Sequence, residues 1–145
     1  MFERILKLLH SMFTEEQPNT YYVDIPSPRD IVPNENVSYN KQKQTVTIKG
    51  LASPVWLTTV ADTNSMDAMI DYGHTCILTG DFMEDDLAPG DICVYNNAGK
   101  GIIHRINRID YDEAGRYFIF KGDNNEFTDP LKVRHIQWLL LGVIY

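Results

Sequence analysis

The 145-residue sequence has only two cysteines, few basic residues and no long apolar run. Two cysteines, Cys76 and Cys93, are too few for a disulfide framework, and both lie in apolar runs where cysteine acts as a small buried side chain. We therefore expect both thiols to be reduced. His74-x-Cys76 has no second pair at a matching spacing, so a metal site is not expected, and no cofactor is implied.

The charge balance excludes one class of partner. The chain has 13 Lys and Arg against 20 Asp and Glu, for a net charge of -7. Proteins that bind nucleic acid need a clustered basic face, whereas the basic residues here are scattered. Nucleic acid is therefore not an expected partner. The length predicts one domain with a core that needs no disulfides.

The first 13 residues predict a short amphipathic helix. Apolar side chains fall on one helical stripe, and charged residues lie largely opposite. The segment is too short and too charged to span a bilayer, which needs roughly 20 apolar residues, and it lacks the features of a secretory signal. We expect it to dock on its own domain, on a partner copy or on a membrane surface. The expected location is cytoplasmic, or peripheral at a membrane through residues 1–13.

The remaining chain predicts a mostly β fold. Residues 14–40 contain four prolines and are interpreted as an extended connector. Residues 41–145 are interpreted as one domain of short strands separated by turns rich in Gly, Asn and Asp, typical of a compact, barrel-like or sandwich core. The predicted strands are 45–49, 55–60, 76–79, 92–95, 102–109, 117–120 and 136–145.

A serine lies between two of these strands, in the sequence Thr-Asn-Ser-Met-Asp that begins at Thr63. Alone, Ser65 is interpreted either as the cap of one helical turn or as a nucleophile. A nucleophile needs a base, and His104 is the best candidate because strand alternation places it on an apolar face. Asp123 and Asp129, which follow the next strand, are the candidate carboxylates that would orient the imidazole.

Four motifs occur together in a familiar order. They are Ser65-Met66 followed by an acidic residue, Pro89-Gly90-Asp91, His104-Arg105-Ile106, and Gly122-Asp123-Asn124-Asn125 with Asp129 beyond. This series resembles the type I signal peptidases, and more closely the archaeal and endoplasmic-reticulum branch, which has histidine where the bacterial enzymes have a lysine base. The resemblance covers about residue 61 to the C-terminus.

The resemblance implies a barrel-like core shared in outline with the self-cleaving LexA-type repressors, and it implies roles for individual residues. Ser65 would be the nucleophile and His104 the general base. Asp129, or else Asp123, would orient His104, with Asp129 favoured. Thr63 would support the oxyanion, and Met66 completes the Ser-Met motif beside the substrate. The implied activity is peptide-bond hydrolysis in signal-peptide or pro-protein processing, on a substrate bound as an extended strand.

The chain departs from the family in three ways. Relatives have proline three residues after the nucleophile, whereas here Asp67 and Ala68 are followed by Met69. Asn64 replaces the frequent glycine, and we expect no membrane-spanning anchor. Asn tolerates a positive φ better than most residues, which fits the glycine position. Two alternatives therefore remain open: a self-cleaving regulatory module, and a catalytically inactive relative that serves in assembly. The repressors use a lysine base, and neither Lys100 nor Lys121 takes the place of His104 in the motif order.

Overall fold

A computed structural model of the protein describes residues 27–51 and 55–145. The predicted helix at residues 1–13, and the part of the predicted connector before residue 27, lie outside the described residues. None of the helices in the described ranges is long and apolar enough to cross a membrane. The two helical elements described there are single 3-10 turns at Asn34–Asn36 and Glu84–Asp86.

The described chain is mostly β, which confirms the predicted class. Eight strands form two antiparallel sheets, one of two strands and one of six. The smaller sheet pairs β1 with β2, and the larger has the spatial order β3-β4-β8-β5-β6-β7. The strands are β1 (Val37–Asn40), β2 (Thr45–Ile48), β3 (Val55–Thr59), β4 (Thr75–Thr79), β5 (Ile92–Asn97), β6 (Lys100–Asp112), β7 (Gly115–Lys121) and β8 (Trp138–Ile144).

The larger sheet is open in the part of the chain that the structure describes. Its edge strands, β3 and β7, are not paired with each other, so the sheet does not close into a barrel there. The long strand β6 pairs with β5 over its first half and with β7 over its second half. This arrangement places the middle of β6 at the centre of three adjacent strands.

Strand β1 falls within residues 14–40, which the sequence predicts to be an extended connector. The last proline of that segment is Pro33, and beyond it Val37 and Tyr39 alternate with polar residues, as in a strand. A turn then brings β2 alongside, with the Lys43 amide donating to the Asn40 side chain at 2.9 Å. The connector therefore ends before Val37, because the chain pairs with itself once the prolines stop.

Two apolar clusters lie on the two faces of β5. Cys93 and Tyr95 belong to one cluster, with Phe118 and Phe120 of β7. Ile92 belongs to the other, which includes Met66, Ile70 and Cys76, and Val94 packs against it. Successive side chains of a strand point to opposite faces, so one strand serves both clusters. Both cysteines are buried and unpaired.

An ion pair helps to hold the end of the connector to the core. Arg29 donates to both carboxylate oxygens of Asp91, with the shortest contact at 2.8 Å. Asp91 is completely buried and also accepts a hydrogen bond from the Ala88 amide at 3.0 Å. A buried carboxylate is costly unless it is paired and hydrogen-bonded, and here it has both kinds of partner.

Candidate active site

Ser65 lies on a tight turn between β3 and β4. Asn64, the residue before it, has a φ of 56°, in the left-handed region that asparagine tolerates better than most residues. Met66 and Ile70 are buried, and the amides of Met69 and Ile70 both donate to the Met66 carbonyl. The buried side chains anchor the turn in the core. Its serine is thereby held at the surface of the domain.

The Ser65 hydroxyl contacts other side chains. Its Oγ is 3.0 Å from Nε2 of His104 and 3.2 Å from Oγ1 of Thr63. A capping serine accepts a hydrogen bond from a backbone amide, and the described contacts of this hydroxyl include no such amide. The geometry therefore does not favour the capping interpretation of Ser65. His104 lies in the middle of β6 and is only 7% exposed. The structure therefore brings the predicted nucleophile and the predicted base within hydrogen-bond distance.

Asp129 is on the other side of the same imidazole. Its Oδ2 is 2.6 Å from Nδ1 of His104 and also accepts a hydrogen bond from the Tyr95 hydroxyl at 2.7 Å. The backbone of Asp129 is fixed as well, because its amide donates to the Phe120 carbonyl at the end of β7 at 2.7 Å. Burial alone would raise the pKa of Asp129, but the hydrogen bonds from His104 and Tyr95 outweigh it and lower that pKa below its usual value.

Asp123 contacts a different partner. Its two oxygens accept hydrogen bonds from Nε and Nη2 of Arg105, at 2.8 and 2.7 Å. Arg105 also donates to the Gly90 carbonyl at 3.0 Å, and both charged side chains are more than 90% buried. The predicted alternative, in which Asp123 orients His104, is not the pairing that the structure has. Asp123 instead joins the turn after β7 to β6.

The Gly122-Asp123-Asn124-Asn125 turn packs directly against the Ser65 turn. The Asn124 amide donates to the Ser65 carbonyl at 3.0 Å, and its side chain donates to the Asn64 carbonyl at 2.9 Å. Gly122 lies so close that a Cβ there would be 2.5 Å from the Ser65 carbonyl oxygen. The glycine allows this approach. Asn124 supplies a donor to the Ser65 carbonyl and a second, shorter hydrogen bond to the Asn64 carbonyl, which also accepts from the Asp67 amide at 3.4 Å.

A small cavity opens to solvent next to Ser65. Its lining includes Thr63 and Met66, two predicted site residues, together with aliphatic side chains from the chain after β3 and from β6. The aliphatic lining comes from Val60, Ala61, Ile70 and Ile103. The enclosed space of this cavity is about 20 Å³, little more than one water molecule needs, so it has room only for the smallest side chains.

The arrangement has the elements of acyl-transfer chemistry: a hydroxyl, an imidazole that can take its proton, and a carboxylate that can orient the ring. In the described residues no group of three or more His, Cys, Asp or Glu is placed to hold a metal ion. Sequence reasoning did not identify Tyr95 or Asn124 as part of the site. Tyr95 is indistinguishable by pattern from a core aromatic, whereas Asn124 lies inside a motif that was recognised as a turn.

A comparison of the chain with protein-family models, with curated proteins and with solved structures finds no match. The contacts among Ser65, His104 and Asp129 are therefore the basis for a functional assignment.

Proposed function

We propose that the protein is a serine endopeptidase of the type I signal peptidase kind, with Ser65, His104 and Asp129 as its catalytic residues. The observation that carries this proposal is the unbroken chain of contacts from Ser65 Oγ to His104 Nε2 at 3.0 Å and from His104 Nδ1 to Asp129 Oδ2 at 2.6 Å. Each ring nitrogen has its own partner, which is what a general base held in one orientation requires.

In the proposed mechanism, His104 takes the hydroxyl proton as Ser65 attacks a peptide carbonyl. Asp129 keeps the proton of the imidazole on Nδ1, so that Nε2 is free to accept, and it stabilises the imidazolium that forms. His104 then protonates the leaving amine, which leaves an acyl-enzyme on Ser65. A water molecule, deprotonated by the same imidazole, hydrolyses the ester and restores the serine.

The oxyanion of the tetrahedral intermediate needs donors, and we propose the Ser65 amide and the Thr63 hydroxyl. Thr63 Oγ1 is 3.2 Å from Ser65 Oγ, so its hydroxyl is close to where the attacked carbonyl would lie. The hydrogen bonds from Asn124 to the carbonyls of Asn64 and Ser65 fix the peptide planes of this turn. Loss of one oxyanion donor typically costs about 3 kcal/mol of transition-state stabilisation.

The substrate in this proposal is a protein or peptide bound as an extended strand. Strand β3 is an edge of the described sheet and leads directly into residues 60–65, which carry part of the cavity lining and the nucleophile. A strand added along this segment would satisfy its backbone by pairing and place alternate side chains toward the cavity. The small aliphatic cavity favours a small residue next to the cleaved bond.

The finer fold assignment belongs to the same proposal. We propose that the β-rich core is a variant of the barrel-like catalytic domain of the signal peptidases and LexA-type repressors, with residues 1–13 as an amphipathic helix that docks on a partner or a membrane surface. The order of the four motifs along the chain supports this assignment. The amphipathic pattern of the first residues supports the docking role.

The test is hydrolysis of a library of extended peptides by the purified full chain, followed by mass spectrometry. We expect cleavage after small residues. We expect Ser65→Ala to abolish it, because Ser65 Oγ is the hydroxyl that contacts His104 Nε2 in the described part of the chain. Ser38→Ala, at an exposed position on β1, is the matched control and should cleave as the wild type does. Equal cleavage by Ser65→Ala would refute the proposal. Loss of mass by the wild-type chain alone, with every peptide intact, would favour the self-cleaving alternative.

A further inference from the structure

The hydroxyl of Tyr95 is not needed to fill the apolar core. The side chain lies on β5 and is only 2% exposed. The centroid of its ring is 4.7 Å from that of Phe120, and the two rings are tilted by 32°. A phenylalanine would fill the same space. A buried hydroxyl is costly unless it is hydrogen-bonded, and this one is directed at Oδ2 of Asp129, at 2.7 Å.

The same carboxylate oxygen accepts from both Tyr95 and His104. The distances to Oδ2 are 2.7 Å from the phenol and 2.6 Å from His104 Nδ1. With its amide held by Phe120, Asp129 has a fixed backbone but a carboxylate that could still rotate about its side-chain bonds. A second donor on Oδ2 removes that freedom, because rotation would now break two hydrogen bonds.

We infer that Tyr95 is a positioning residue of the site, which holds the Asp129 carboxylate in the one orientation that directs Oδ2 at His104. This inference rests on the proposed function for its kinetic consequence, although the positioning itself does not depend on it. Within the described residues, Tyr95 makes no hydrogen bond with Ser65 and does not line the cavity beside it, so its contact with the site is through Asp129. Its ring belongs to the apolar cluster that contains Phe118 and Phe120, and its hydroxyl contacts the polar site.

The protonation of Tyr95 fits this role. Burial first, and the hydrogen bond with Asp129 second, raise the pKa of the phenol well above its usual value. The hydroxyl therefore stays protonated at neutral pH, where the carboxylate is ionised, and it donates to that carboxylate. A neutral donor fixes the carboxylate while leaving its full charge available to the imidazolium.

The test substitution is Tyr95→Phe, with Tyr117→Phe as the matched control. Tyr117 is a largely buried tyrosine on β7 whose ring lies under Lys132, and its hydroxyl has no described contact with the site. We expect Tyr95→Phe to lower kcat by about tenfold with KM unchanged, because a hydrogen bond to a charged group is lost from the orientation of the base and not from substrate binding. Tyr117→Phe should keep the wild-type kcat.

A second measurement, of the proton on His104, distinguishes a positioning role from a purely structural one. It does not depend on whether the protein is a peptidase. The proton on His104 Nδ1 should give a resonance far downfield of the amide region in chain labelled with 15N-histidine, and Asp129→Asn should remove it. In Tyr95→Phe we expect this proton to exchange with solvent faster than in the wild type. An unchanged resonance and exchange rate, together with an unchanged kcat, would overturn the role of Tyr95.

The two proposals fail in different ways. If the wild type cleaves no peptide while Tyr95→Phe still speeds exchange of the His104 proton, the peptidase proposal fails and the positioning role stands. If the wild type cleaves and Tyr95→Phe matches it in kcat and in exchange, the positioning role fails alone.

Discussion

At the level of single residues, Asp123 and Asp129 have different partners although both follow β7. The sequence narrows the carboxylate to Asp123 or Asp129, since both follow β7, but spacing cannot choose between them. The structure pairs Asp129 with His104 and Asp123 with Arg105. The choice depends on how the chain turns after Lys121, and that turn is set by contacts with Ser65 that lie far away in sequence.

This difference predicts that two isosteric substitutions affect different properties, one the catalytic rate and the other the stability. Asp129→Asn should lower kcat by about 10³- to 10⁴-fold, because the amide no longer selects the imidazole tautomer that leaves Nε2 free. Asp123→Asn should instead lower the free energy of unfolding by about 3–5 kcal/mol, because it removes the carboxylate that neutralises the buried Arg105. Steady-state kinetics and urea denaturation of both variants measure the two effects.

Each of these variants is the control for the other. A folded Asp123→Asn variant with the larger loss of kcat would reverse the assignment of the two carboxylates. Equal losses of kcat in both would mean that neither aspartate alone orients His104.

At the level of elements, the sequence is most informative about strands and least about their ends. Seven of the strands follow from alternating or continuous apolar runs, because half-buried strands have that pattern. The ends differ by a few residues: β6 is predicted at 102–109 and extends over Lys100–Asp112. Its extra length comes from pairing with β5 and β7 beyond the apolar run, and backbone pairing leaves no pattern in the side chains.

His104 and Arg105 are adjacent on β6 but contact different parts of the site. Neighbouring side chains of β6 leave in opposite directions. His104 contacts Ser65 and Asp129, and Arg105 contacts the Gly90 carbonyl and Asp123. One strand therefore supplies the base and also the cation that fixes the neighbouring turn.

That turn gives a prediction at the element scale. Gly122→Ala would place a methyl group 2.5 Å from the Ser65 carbonyl oxygen, so the two turns must separate. We expect loss of most hydrolysis and a free energy of unfolding lowered by about 1–3 kcal/mol, as is usual for overpacking. The matched control is Gly101→Ala on β6, where the nearest atom to the added Cβ is a Val94 methyl at an ordinary 3.5 Å.

Comparison of the two glycine variants by kinetics and urea denaturation decides this point. Wild-type behaviour of Gly122→Ala would show that the close approach of the two turns is not needed for the position of the serine.

At the scale of the whole molecule, the site is assembled from three separate segments. Ser65 is 39 residues from His104, and His104 is 25 residues from Asp129. The strand order β3-β4-β8-β5-β6-β7 inserts β8 between β4 and β5, so sequence neighbours are not always neighbours in space. Local patterns make Ser65, His104 and the two aspartates candidates, but spacing along the chain does not show that these three segments meet.

Activation of Ser65 by His104 can be measured by intact-mass analysis after treatment with a fluorophosphonate. We predict one phosphonyl adduct per wild-type chain, located on Ser65 by peptide mapping and absent from His104→Ala, because the hydroxyl is a poor nucleophile without its base. The absence of an adduct on the wild type, under conditions that modify an established serine peptidase of the same type completely, would contradict the account.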